Sequence, residues 1–255
     1  MGSFNIYTKK RFDLDYQKVD NFKFLIQDHP VFYILPIDSY SSDEVAAFQK
    51  VLSVHEKEKA SRFRFLTDQI SYLVTHARLR QILGQYLECE PVKLGFVYNS
   101  YGKPSLTGDY KIIHFNLSHS SGISIIGFDT KSVIGVDVEK IDPDFDFEPI
   151  VRTHFTQDEN NFIFESLERS RLRFYTLWTR KEAFLKAVGT GIGENLEVEV
   201  FKEFHQFKPM SPIAGIHAND FYLETFVYQR NYLITIAKNY PDGLVGLIDL
   251  QKSGY

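Results

Sequence analysis

The sequence lacks most of the residues that would stabilise or anchor it by special means. Cys89 is the only cysteine among 255 residues, which excludes an internal disulfide framework and any thiolate metal cluster and fits a reducing compartment. No apolar run is long enough to span a membrane. Lys9, Lys10, Arg11, Asp13 and Asp15 interrupt the stretch where a signal peptide would need its apolar core, and Ile6 stands where a myristoylation signal wants Ser or Thr. Nor does one sign of charge dominate: 29 Lys+Arg against 33 Asp+Glu leave a net −4. No sequence-wide field therefore attracts nucleic acid or anionic lipid, and any anion must be met locally. The expectation is a cytoplasmic chain with no nucleic-acid or membrane partner.

What is present is the material of an ordinary globular protein, 44% hydrophobic and 24% charged. Its length fits one large domain or two small ones. Val31 to Leu35 is an apolar run closed by Pro36 and Asp38, hence a strand. Ser41 with Glu44 and Thr156 with Glu159 have the spacing of capping boxes, each opening a helix. The run from His55 to Arg64 carries both signs of charge, as a solvated helix face does. Asp68 is placed to cap a long helix with Ile70, Leu73, Val74, Ala77, Ile82, Leu83 and Tyr86 at helical spacing. From Lys93 to Asp129 the signals change to short β runs broken by Gly, Pro, Asn and Ser. Tyr101-Gly102-Lys103-Pro104 reads as a turn, and Phe115 to Gly122 as a strand end passing into a polar loop.

Ile123 to Phe128 and Val133 to Glu139 then read as two arms of a meander about Asp129-Thr130-Lys131. A second long helix spans Ser170 to Val188, with Leu177, Phe184, Leu185 and Val188 as its buried stripe and Gly189 as its stop. The weak alternation of Leu196 to Val200 and of Tyr232 to Ile236 marks closing strands. Strand, capped helix, long helix and strands thus follow one another on both sides of residue 131. This order gives an α+β expectation of two similar halves, 1–131 and 132–255, with a cleft at their interface.

Chemistry concentrates on Ile134-Gly135-Val136-Asp137-Val138-Glu139. Alternation sends Ile134, Val136 and Val138 to one face, so Asp137 and Glu139 share the other. Two adjacent carboxylates favour a cation, and hard oxygen ligands suit Mg²⁺, which commonly bridges to substrate phosphates. Trp178, Glu182 and Lys186, at i, i+4 and i+8, form one ridge of the second long helix. They offer a third carboxylate and an amine. Ser118 and His119 bring hydroxyl and imidazole groups fit to bind phosphate oxygens or move a proton, and Lys103 is a point charge in a rigid turn. Gly189-Thr190-Gly191-Ile192-Gly193 follows a helix instead of opening one, so it lacks the context of a dinucleotide or P-loop motif.

Tyr101-Gly102-Lys103-Pro104, Phe115-Asn116-Leu117-Ser118-His119-Ser120, the Ile134 to Glu139 strand and Trp178 to Lys186, in that order and spacing, resemble the Sfp-type 4′-phosphopantetheinyl transferases. The resemblance implies transfer of the phosphopantetheine arm of coenzyme A to a serine of an apo acyl or peptidyl carrier protein, with release of adenosine 3′,5′-bisphosphate. It implies Mg²⁺ on Asp137, Glu139 and Glu182, and coenzyme A contacts from Lys103, Pro104, Ser118, His119 and Lys186. Glu182, Lys186 and His119 would be catalytic, either Glu182 or Lys186 taking the serine proton. The implied fold pairs two α+β halves about a pseudo-twofold axis, each a small antiparallel sheet on a long helix, in a monomer. One position departs from the family pattern. Ser71 stands where many members have Arg, so Lys57, Lys59 or Arg62 would supply charge at the nucleotide end. Acidic carriers would meet a basic or apolar patch near residues 55–64 or Arg173, Arg180 and Lys181. A non-catalytic coenzyme A or carrier-binding relative would lack a metal carboxylate, and none is missing; a Mg²⁺-dependent pyrophosphatase would release adenosine 3′,5′-bisphosphate without a carrier.

Overall fold

The structure is a computed structural model, which describes residues 29–108, 113–191, 196, 198, 200, 221–240 and 246–250. The described residues form two compact units. One comprises residues within 29–97, 104–131 and 246–250, the other residues within 98–103 and 132–240.

The first unit holds β1 (Val31–Pro36), α1 (Ser42–Phe48), α2 (Val54–Ser61), α3 (Leu66–Tyr86), β2 (Phe96–Tyr98, whose last residue counts with the second unit), β3 (Pro104–Leu106), β4 (His114–Ser120), β5 (Ile123–Asp129) and β9 (Gly246–Asp249). Its main sheet has the order β4-β5-β1-β9. β5 runs antiparallel to β1 and β4, whereas β9 adds parallel to β1. Every residue of β5, and all of β1 but Pro36, is buried, which is why these strands are apolar runs and not alternations. Tyr33, Leu35, Val74, Ala77, Leu83, Ile126 and Phe128 share the core, and Thr75 of α3 donates to the Ser124 hydroxyl of β5 at 2.7 Å.

The second unit has β6 (Ile134–Lys140), α4 (Glu148–His154), α5 (Gln157–Phe164), α6 (Leu167–Val188), β7 (Tyr222–Tyr228) and β8 (Tyr232–Lys238), with an antiparallel sheet of order β6-β8-β7. Both units follow one plan: a strand, a capped helix, a long helix, then a hairpin whose second strand lies mid-sheet beside the first strand. The fold is α+β, in two similar halves each built on a sheet and a long helix. Among the described residues, no helix is long and apolar enough to cross a membrane.

The capping boxes at Ser41/Glu44 and Thr156/Glu159 form as expected, and a further one joins Ser53 to Glu56. In the latter two boxes the glutamate is buried and ion-paired to the long helix. Glu56 accepts from Arg80 Nε at 2.7 Å, and Arg80 also donates to the Pro91 and Leu94 carbonyls. Glu159 lies 2.8 Å from Lys181 Nζ, which donates to Leu196 and Val198 carbonyls at 2.7 Å each. The 55–64 run is therefore not wholly a solvated face.

Other expectations change with the context of the chain. α3 begins at Leu66, so Asp68 sits inside its first turn, favourable to the helix dipole, and not at the cap. α6 likewise begins at Leu167 and not at Ser170. Ser118, His119 and Ser120 belong to β4 itself, whose pairing with β5 runs on to Ser120↔Ile123. β5 and β6 are not arms of one meander: β6 finds its partner in β8, a strand nearly a hundred residues further on. The division at 131/132 misses two excursions, because β9 extends the first sheet and residues 98–103 bond to the end of α6. Residues 1–28 lie outside the described residues, as do Glu197 and Glu199 of the Leu196 to Val200 alternation, Ile192 and Gly193.

Burial of Glu56 by itself would raise its pKa, but His76, the Ser53 N–H and Arg80 overcome this and hold it at about 2 against an ordinary 4.5. A carboxylate whose pKa is lowered by folding adds stability above its unfolded pKa and loses it as pH falls toward the folded one. We expect Glu56→Gln to cost roughly 3 kcal/mol at neutral pH, with the gap from wild type closing between pH 4.5 and about 2 in urea titrations.

Candidate active site

Asp137 and Glu139 stand on β6 and Glu182 on α6, and one carboxylate oxygen of each lies within 4.8 Å of the others. Asp137 and Glu182 are buried, at 1% and 6% exposure. The strand and the helix reach this proximity through Gly135. A Cβ there would collide with the Ala183 carbonyl oxygen and stand 2.6 Å from the Ala187 nitrogen, so the bare backbone lets α6 lie directly on β6. In the sequence the signal for this role is a Gly inside a strand pattern, which marks close backbone approach.

Lys186 ties the cluster together. Its Nζ lies 2.6 Å from Asp137 Oδ1 and 3.4 Å from Glu182 Oε2. Burial opposes the charge, but the attraction of Asp137, Glu182 and Glu139 carries the Lys186 pKa up to about 12. Burial and the Asp137 charge push Glu182 up to about 8 in spite of Lys186. Trp178 Nε1 donates to Glu139 Oε1 at 3.3 Å. Beside Asp137, whose cross-strand partner is Thr235, the buried hydroxyls of Thr179 and Thr235 lie 2.8 Å apart, and the part-buried Thr225 hydroxyl lies 2.9 Å from that of Thr235, seating α6 on β8 and β7.

The ridge of Trp178, Glu182 and Lys186 exists, but its middle is not solvated: α6 is buried on most sides, and its polar ridge is pressed onto β6. Lys181, expected in a surface patch, is fully buried. Arg173 and Arg180 are half-buried and bonded to Phe162, Glu165, Thr225 and Val200. The same unit holds Lys103, half-buried, its pKa lowered by burial to about 8, donating to carbonyls of α6. In the first unit, Lys57, Lys59, Arg62 and His119 are exposed, Ser118 and Ser71 are buried, and Pro104 opens β3.

Three hard carboxylate oxygens converging beside one ammonium fit a hard divalent cation, whose charge would offset their mutual repulsion. An α+β protein with such a carboxylate cluster and an adjacent lysine is of the class that offers a metal ion three oxygen ligands. Comparison with known proteins narrows the class. The 4′-phosphopantetheinyl transferase superfamily profile matches residues 133–237, and the profile of a 4′-phosphopantetheinyl transferase N-terminal region matches residues 39–130. The chain is 33% identical to the 4′-phosphopantetheinyl transferase HetI of a Nostoc species over 69% of its own length and 75% of the relative's. It is 28% identical to the 4′-phosphopantetheinyl transferase Sfp of Bacillus subtilis over 79% and 88%. It is 36% identical to the slr0495 protein of a Synechocystis species over 60% of this chain, spanning 63% of that relative's length. The chain belongs to the 4′-phosphopantetheinyl transferase superfamily.

Two outcomes follow from this geometry. Gly135→Ala forces α6 off β6 and should cost about 2 kcal/mol or more, read as a lower Tm together with loss of any Tm rise on adding Mg²⁺. Because a cation must displace the proton that the raised pKa of Glu182 retains, Mg²⁺ affinity measured by calorimetry should rise with pH up to about 8 and then level off.

Proposed function

We propose that this chain moves the 4′-phosphopantetheine group of coenzyme A onto a serine hydroxyl of an apo acyl or peptidyl carrier protein and releases adenosine 3′,5′-bisphosphate. The observation that carries the reading is the convergence of Asp137, Glu139, Glu182 and Lys186 in a member of this family. The serine oxygen forms a bond to the phosphorus that bears pantetheine, and the bond from that phosphorus to the bridging pyrophosphate oxygen breaks. Such a transfer asks the protein mainly for in-line placement and for charge opposite the phosphate oxygens.

Asp137, Glu139 and Glu182 would hold Mg²⁺. When bound, that ion supplies Lewis-acid neutralisation of the pyrophosphate. Lys186, kept protonated by its carboxylate neighbours, is a charge donor to the transferring phosphate and not a base. The serine proton then goes to Glu182, directly or through water. Ser118 and His119 are assigned to the coenzyme A phosphates. With Ser71 in place of an arginine, charge for the 3′-phosphate falls to Lys57, Lys59 and Arg62, all exposed on or just after α2. The reading also takes the protein to be a cytoplasmic monomer.

Incubated with an apo carrier, coenzyme A and Mg²⁺, the protein should add one phosphopantetheine mass to the carrier. Asp137→Ala should slow this at least about a hundredfold, since cation stabilisation is worth several kcal/mol. Release of adenosine 3′,5′-bisphosphate at equal rates with and without carrier would overturn the reading in favour of hydrolysis.

A further inference from the structure

The family resemblance carried Lys103, with its turn, to the nucleotide. The geometry gives its side chain another task. Asn99 Oδ1 accepts from the N–H groups of Tyr101 and Lys103 at 3.0 and 2.9 Å, closing a turn in which Gly102 adopts φ 82°. From that turn Asn99 Nδ2 donates to the Gly189 carbonyl at 2.7 Å, and Lys103 Nζ donates to the carbonyls of Lys186 at 2.6 Å and Ala187 at 2.8 Å.

These oxygens lie at the C-terminal end of α6, where the last carbonyls have no partner inside the helix and the dipole favours a cation. Gly189 ends the helix at φ 86°, and a Cβ on it would stand 3.1 Å from Asn99 Nδ2 and 3.2 Å from Lys103 Cδ. The turn is thus seated closely on the helix end. An ammonium has three donors, and two of those on Lys103 are committed here. Turning the group wholly to a phosphate would leave the Lys186 and Ala187 carbonyls to find other partners.

We propose that Lys103 is a positioning residue, which with Asn99 clamps the last turn of α6 and so fixes Lys186, the residue whose ammonium rests on Asp137. For its kinetic consequence the proposal rests on the transferase reading above; for its structural consequence it does not. A phosphate ligand and a clamp part company in what they change. Loss of a ligand weakens coenzyme A binding, whereas loss of a clamp misplaces a group that acts on the transferring phosphate and lowers kcat.

The test compares wild type with Lys103→Met, which keeps the apolar stem, with Asn99→Ala, which has no charge to offer a phosphate, and with the double variant. Transfer kinetics and backbone hydrogen exchange over residues 184–191 are both measured. We expect Lys103→Met to lower kcat roughly tenfold or more, while KM for coenzyme A stays within about twofold. Asn99→Ala should act in the same direction, the double variant should fall little further than the worse single one, and exchange should quicken in all three. A raised coenzyme A KM with kcat retained, or unchanged exchange, would overturn the clamp. A wild-type protein that transfers nothing would overturn the proposed function instead, leaving hydrogen exchange to decide the clamp.

Discussion

Repulsion among three carboxylates is the constraint around which the second unit is built. At separations of no more than 4.8 Å, each ionised pair costs about 3 kcal/mol or more in an environment of intermediate polarity, and burial of Asp137 and Glu182 adds desolvation. The protein relieves this in two ways visible in its geometry. Lys186 brings a cation to Asp137 and Glu182, and Glu182 is pushed toward its neutral form. Neither relief fully satisfies the cluster, and that residual demand for positive charge underlies the proposal that a divalent ion is held there.

Holding such groups together requires a stiff frame. Gly135 lets α6 lie against β6, the threonine hydroxyls seat it on β8 and β7, and the Glu159–Lys181 pair secures its other side to α5 and to the chain beyond Leu196. The first unit repeats the device with Glu56 and Arg80. A buried ion pair adds little net stability over an apolar pair of the same shape, but removing one partner is costly, so each pair disfavours other packings of its helix. The same glutamates also close capping boxes. One residue therefore starts the short helix and orients the long one.

The sequence was most legible where local physics decides. Capping boxes, the left-handed stop at Gly189, the turn at Gly102 and the carboxylate alternation of β6 depend on residues a few positions apart. Four short motifs in fixed order also sufficed to point to the family. Less legible were features set by distant partners. Lys181 and Glu56 sit among charges and look solvated by local pattern, yet both are buried, because each meets an opposite charge on another helix. Helix starts at Leu66 and Leu167 escaped because Phe65 and Ser166 make no side-chain cap bond.

The amino-acid order by itself determined which groups are available for chemistry, since an acidic strand and an acid-and-amine helix ridge are written in periodicity alone. Tertiary structure decided how those groups act. Only packing of α6 on β6 brings Glu182 and Lys186 to Asp137, only strand pairing separates β5 from β6, and only the seat of a distant turn on a helix end assigns Lys103 to two carbonyls. The reason is one of range: side-chain periodicity acts over a turn or two of chain, whereas desolvation, ion pairing and close backbone approach join residues tens of positions apart and appear only once the chain has folded.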